Sequence, residues 1–264
     1  VAYALVSFFA RLKYYFSKND RETVKANLRI AMPEADNKKI SSMAMAIFEN
    51  FGKYLIDFFS LRQNEKGYLK NTVRLIGLEN IDEALKLGRG CIIMAGHFGN
   101  WELSACALAS RGYKLNVIAL DHLDPRINDL FIKQREKSGI QIMHIGTARA
   151  ACQKAFSRNE IVAILGDRPY GDRGIEVEFF GKKATFPRGV ALLSFRNGTP
   201  IVMTFCFKEN VDKNEHKLLF EKPFLVKREG SLEEQLKDVT QRFADRFERY
   251  IRKYPTQWYM FSKI

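Results

Sequence analysis

Residues 91–102 read CIIMAGHFGNWE, and LSACALAS follows at 103–110. CIIMA is a short apolar run of strand type, and the second stretch is an apolar helix. Between them, Gly96 and Gly99 flank His97 and Phe98. Glycine lets the backbone turn sharply and lets a substrate approach closely. Asn100 is a good N-cap, which places Glu102 in the first helical turn. On a continuous helix, side chains five residues apart point about 140° from each other. His97 and Glu102 therefore converge only if the histidine lies on the loop and the glutamate on the helix. The glycines permit this. Glu102 would then hold the imidazole in one tautomer, and the other ring nitrogen would be free to take a proton from a hydroxyl. The plainer alternative is a histidine packed at a strand end and a glutamate that merely suits a helix N-terminus.

Outward from this turn, short apolar runs alternate with helical segments. Strands are expected at 73–77, 91–95, 116–120, 140–145, 161–166, 175–180, 200–207 and 216–221. Helices are expected at 80–88, 100–111, 125–138, 147–158, 188–196 and 231–253. This alternation predicts an α/β fold with a largely parallel central sheet covered by helices. Functional groups in such sheets gather at the carboxyl ends of strands, which singles out the residues after 95, 120, 166 and 180.

Residues 1 to about 62 read as an N-terminal helical segment. Asn19 or Asp20 can cap RETVKANLRIAM, Pro33 ends it, and Asp36 can open a long helix. In that helix Ile40, Met43, Ile47, Phe51, Leu55 and Phe59 form one apolar stripe of the kind that usually faces a core. The opening stretch VAYALVSFFARLKYYF is apolar and aromatic, broken by Arg11 and Lys13. Its uninterrupted part is too short to span a bilayer and suits a membrane-surface helix, the end of an anchor, or a core helix.

The 264 residues, 46% hydrophobic and 28% charged, suit one domain over 1–264, with a helical part at 1–62 and an α/β part at 73–264. Lys and Arg number 43 against 30 Asp and Glu, a net charge of +13. Such a surplus attracts phosphates, anionic lipid headgroups or acidic proteins, and by itself does not choose between lipid and nucleic acid. Zinc-finger spacing, an RRM signature and blocks of consecutive basic residues are all missing, so nucleic acid is not the expected partner. Cys91, Cys106, Cys152 and Cys206 are far apart and sit in apolar runs, as buried thiols of a reducing compartment do. His122, His144 and His216 are scattered, and no metal is expected. DHLD at 121–124 reads as a turn and helix cap. The chain has no G-x-S-x-G, P-loop, G-x-G-x-x-G or H-E-x-x-H.

GHFGNWE resembles the H-x-x-x-x-D/E motif of the glycerolipid and lysophospholipid acyltransferase superfamily. More narrowly, it is similar to the lipid A biosynthesis (lauroyl/myristoyl) acyltransferase family, which also contains phosphatidylinositol mannoside acyltransferases. Three further blocks match in order: NLRIAMPEADNKKI at 27–40, DHLDPRINDLFIKQREKSGI at 121–140, and LGDRPYGDRGIEVEFFGKKATFPRGVALLSFRNGTPIV at 165–202. The second places the family's basic residue at Arg135, and the third carries a family-like FFG at Phe179, Phe180 and Gly181.

The resemblance implies O-acyl transfer without a covalent enzyme intermediate. His97 would be the general base, oriented by Glu102. Backbone N–H groups near the glycine turn, or Arg135, would meet the oxyanion. In the mannoside branch a glutamate in a similar stretch is associated with the catalytic histidine, and Glu176 is the better positional match, as a second orienting carboxylate. Asp167 and Arg168, at a strand's carboxyl end, can be structural or can touch a phosphate or headgroup. Phe179, Phe180 and Phe186 can line an acyl slot or fill core, and Lys182, Lys183 and Arg188 can meet lipid phosphates or water. No cofactor is implied beyond the co-substrate, acyl-ACP (an acyl carrier protein thioester) or acyl-CoA. The expected partners are that donor, a glycolipid acceptor and an anionic membrane surface. A lipid A precursor leads as acceptor, which would place the chain in lipopolysaccharide biosynthesis, and an inositol mannoside follows. The expected location is the cytoplasmic face of the bacterial inner membrane, peripheral or N-terminally anchored. A thioesterase or lipid hydrolase using the same pair on water, and a non-catalytic binding protein, are the competing readings.

Overall fold

The computed structural model describes residues 2–61, 66–120, 123–168, 174–211, 213–227 and 229–264. Val1, Asp121 and His122 of DHLD, and the stretch 169–173 of the third block lie outside the described residues. Three helices open the chain: α1 (Ala2–Phe16), α2 (Lys18–Ala31) and α3 (Asn37–Phe59). The second starts earlier than its sequence suggests, with Ser17 at the cap position and Asp20 in the first turn. Asp36 caps α3 as expected, accepting the Lys39 N–H at 2.7 Å. Along the α3 stripe Ile40, Met43 and Ile47 are buried, whereas Phe59 at the far end is exposed.

After α4 (Lys66–Thr72), strands and helices alternate: β1 (Val73–Ile76), α5 (Glu79–Leu85), β2 (Cys91–Ala95), α6 (Trp101–Ala109), β3 (Leu115–Ala119), α7 (Pro125–Lys137), β4 (Gln141–His144), α8 (Ala148–Ser157) and β5 (Ile161–Leu165). A hairpin follows, β6 (Gly174–Phe179) and β7 (Lys182–Pro187), then α9 (Gly189–Asn197), β8 (Ile201–Phe207), β9 (His216–Phe220) and α10 (Leu232–Lys253). The hairpin's second strand, KKATFP, was not expected: two lysines and a proline hide its pairing potential.

Seven strands form one sheet in the order β1-β9-β8-β2-β5-β3-β4. Only β8 and β9 pair antiparallel; every other neighbouring pair is parallel. The mixed α/β architecture with a mostly parallel sheet thus stands as predicted. Strand β2, which carries the histidine turn, lies centrally between β5 and β8. One sheet face packs against α5, α6 and α7, the other against α8, α9, α10 and the hairpin. Helix α10 buries Val239, Phe243, Phe247 and Ile251 against that second face, each contributing about 1.5–3 kcal/mol through apolar area removed from water. A third cluster joins α1, α2 and α3 to Tyr259.

Helix α1 packs along α3, where a Cβ on Gly52 would stand 3.0 Å from Val6. Its outer face leaves Leu5, Phe8, Phe9, Leu12, Tyr15 and Phe16 exposed. Among the described residues no helix is long and apolar enough to cross a membrane. All four cysteines are buried free thiols.

Candidate active site

The turn after β2 is held from both sides. Gly99 adopts φ +60°, and a Cβ there would meet the Cys206 carbonyl oxygen at 1.8 Å, so only glycine fits. Its N–H donates to the Gln257 carbonyl at 2.9 Å, and the Tyr259 N–H donates to the His97 carbonyl at 3.0 Å. The C-terminal segment therefore clamps the histidine loop. Asn100 caps α6 as predicted, accepting the Leu103 N–H at 2.9 Å. His97 is on the loop and Glu102 on the helix, and both line one cavity of about 690 Å³.

They do not pair with each other. His97 Nδ1 lies 2.8 Å from Asp167 Oδ1, and the His97 backbone N–H donates to Asp167 Oδ2 at 2.9 Å. An ionised carboxylate only accepts, so Nδ1 carries a proton, and the neutral form of the ring presents its lone pair at Nε2. The Asp167 side chain is fully buried, while that of His97 is 21% exposed. Burial, the largest influence on Asp167, favours its neutral form. The His97 ring, Arg168 and the His97 N–H together outweigh it and hold the carboxyl below its usual range. The His97 ring also meets Trp101 edge-on, centroids 5.1 Å apart, and Trp101 packs on Tyr54.

Glu102, expected on the imidazole, instead binds Arg135. Nε of Arg135 donates to one carboxylate oxygen at 3.0 Å, and a terminal nitrogen donates to the other at 2.5 Å. Both side chains are nearly buried, 5% and 12% exposed. The first turn of α6 points Glu102 toward α7, away from the strand end beside which β5 delivers Asp167. Arg135 is therefore committed to a carboxylate rather than left free for an oxyanion. Three N–H groups of the glycine turn are occupied too: those of His97, Phe98 and Gly99 go to Asp167, Gly96 and Gln257. Arg168 is different. It lines the cavity, one terminal nitrogen donates to the Tyr259 carbonyl, and its buried Nε has no partner among the described residues.

The third block divides. Glu176, expected as a second orienting carboxylate, is exposed on β6 and pairs with Lys183 at 2.8 Å on the neighbouring strand. It does not line the cavity. Phe179, Phe180 and Gly181 do not line it either. Phe179 and Phe180 are core, 1% and 7% exposed, packed on each other and on Trp258. Phe180 and Gly181, with φ +53° and +70°, make the tight turn between β6 and β7. Phe186 is core as well. Lys182 and Lys183 face solvent, while Arg188 lines the cavity.

The slot is built elsewhere. Strand registers put Ile93, Ala163, Leu115 and Val117 on one face of the sheet, where they line the cavity with Ala105 and Leu108 of α6. A short, small-residue stretch of α6 leaves space over the sheet there. Among the described residues no cluster of His, Cys, Asp or Glu is placed to hold a metal.

Fold and site together define an α/β enzyme with a histidine–carboxylate pair at the carboxyl end of a central strand, opening into an apolar cavity. A family model described as bacterial lipid A biosynthesis acyltransferase matches residues 1–264, and the chain belongs to this family of O-acyltransferases. It is similar to the phosphatidylinositol mannoside acyltransferase of Mycobacterium tuberculosis (strain ATCC 25618 / H37Rv), 26% identical over 255 residues, which covers 94% of this chain and 78% of that protein. The Mycolicibacterium smegmatis protein of the same name is 25% identical over 260 residues, 96% of this chain and 82% of its own. A lipid A biosynthesis acyltransferase of Haemophilus influenzae is 25% identical over 177 residues, 65% of this chain and 54% of its own.

Proposed function

We propose that this chain moves a fatty acyl group from an acyl thioester, on acyl carrier protein or CoA, to a hydroxyl of a membrane glycolipid. The observation that carries the proposal is the orientation of His97: Nδ1 is held by buried Asp167, and the ring reaches a cavity that runs on into an apolar slot. Nε2 takes the hydroxyl proton as the hydroxyl oxygen attacks the thioester carbonyl carbon. Asp167 stabilises the imidazolium that results. The guanidinium of Arg168, which lines the cavity, offers a donor for the tetrahedral oxyanion. The carbon–sulfur bond then breaks, and the thiolate leaves with the proton from Nε2. The acyl chain lies along Ile93, Leu115 and Val117.

A lipid A precursor is the leading acceptor, in keeping with the family. A phosphatidylinositol mannoside is the second reading, favoured by relatives of that name that match nearly the whole chain. The exposed outer face of α1, with Phe8, Phe9 and Phe16, suits a peripheral position on an anionic membrane, with Arg11 and Lys13 beside it.

The test is acyl transfer by the purified protein from acyl-ACP or acyl-CoA to each acceptor in mixed vesicles, read by mass spectrometry. Gain of one acyl chain, lost in His97→Ala, is expected. Thioester hydrolysis at the same rate with and without every acceptor would instead make the protein a thioesterase.

A further inference from the structure

The cavity has a second arm. Ile118 and Ile164 alternate with Val117 and Ala163 along their strands, so they face the opposite side of the sheet, yet they line the same cavity. The space thus wraps over the carboxyl ends of β3 and β5 and continues between α8 and α9. One wall carries Arg149 of α8. The other carries Arg188 at the start of α9 and Arg196 near its end, eight residues apart and so about 12 Å along the axis. None of the three arginines has a carboxylate partner among the described residues, and Nε of Arg188 is buried without any partner. Among the described residues Glu102 is the one acidic side chain on the cavity wall, and Arg135 holds it. The N-terminus of α9 has no side-chain cap, and Gly189 leaves open space before it.

An apolar floor under a rim of unneutralised guanidinium groups selects an elongated anion with an apolar body. Arginine forks match phosphate oxygens in pairs of hydrogen bonds, and a free helix start adds N–H donors. We propose that this arm is an organophosphate subsite, in which Arg149, Arg188 and Arg196 hold a phosphate ester of one substrate. For the identity of the parent molecule the inference rests on the acyl-transfer reading. The phosphate comes either from the phosphopantetheine arm of the thioester donor or from the headgroup of a phosphorylated acceptor lipid.

Binding without turnover tests it. The full chain is titrated with 4′-phosphopantetheine against pantetheine, and with dihexanoylphosphatidylinositol against dihexanoylglycerol, followed by calorimetry. The same titrations are made on Arg149→Gln/Arg196→Gln, on each single variant, and on Arg149→Lys/Arg196→Lys. Arg149 and Arg196 are exposed, so the fold is expected to survive, and thermal unfolding checks this. In at least one pair the phosphorylated probe is expected to bind roughly tenfold or more tightly than its counterpart. That preference disappears in the double Gln variant and returns in part with lysine. The pair that shows it names the source. Equal binding within both pairs, or a preference that survives the Gln variants, overturns the subsite. Acyl transfer without phosphate preference removes the subsite alone. Phosphate preference without acyl transfer removes the transferase reading alone.

Discussion

Nδ1 of His97 lies 2.8 Å from Oδ1 of Asp167, a residue 70 positions away in sequence. The contact follows from strand pairing: β2 and β5 run parallel in a register that sets Ala95 beside Leu165. Positions 97 and 167 lie two residues past those partners, so the two loops leave the sheet side by side. Glu102, five residues from His97, is carried off by the first turn of α6 to Arg135.

Asp167→Asn is expected to lower turnover by about 10³–10⁴-fold with little change in KM, the scale found when a histidine's orienting carboxylate is neutralised. Steady-state acyl transfer measures it. A variant within a few-fold of wild type would remove Asp167 from the mechanism.

Glu102 and Arg135 act as one structural unit. Glu102→Ala and Arg135→Ala are each expected to cost about 3–5 kcal/mol, because each strands a buried charge. The double variant should cost much less than their sum. Urea unfolding of the four proteins gives the coupling energy, and additive losses would contradict the pair.

Glu176→Gln is expected to leave turnover within about twofold, since its exposed partner Lys183 is a weak surface contact. A large loss of kcat at unchanged folding would return Glu176 to the site.

Gly99→Ala places a methyl group 1.8 Å from the Cys206 carbonyl oxygen at φ +60°. The expected loss is roughly 4 kcal/mol or more, read as a lowered urea midpoint or loss of soluble protein. Near-wild-type stability would mean that the turn relaxes.

Acid should loosen the seam beneath α1. Buried Asp57 there receives the Tyr3 hydroxyl, sits 3.6 Å from Lys208 and 3.3 Å from His216 Nε2. Burial, the largest influence on His216, pulls its pKa below the ordinary value of about 6.5, partly offset by Asp57. The unfolded chain therefore binds the proton first, and stability falls as pH drops below about 6.5 toward the depressed folded value. Melting temperatures across pH 7.5 to 5 should decline, and less steeply in His216→Asn. Identical slopes would assign the decline to other groups.

Much of the local structure was legible in the sequence. The strand CIIMA, the Asn100 cap and the loop position of His97 follow from apolar spacing, capping chemistry and glycine freedom, which act within a few residues. The long helix opened by Asp36 was legible for the same reason. FFG was not. Phe180 is an unexpected residue at positive φ, and without an Asn-Gly or Asp-Gly signal the hairpin stayed hidden. Its two phenylalanines look alike whether they line a slot or fill a core.

The sequence by itself determined an α/β fold with a histidine turn at a strand end, because hydrogen bonding and side-chain sterics over short spans settle such features. Only the tertiary structure decided that Asp167, rather than Glu102 or Glu176, faces the imidazole. Which strand lies beside β2 is settled by packing of both sheet faces across the whole chain, and residue spacing carries no record of it.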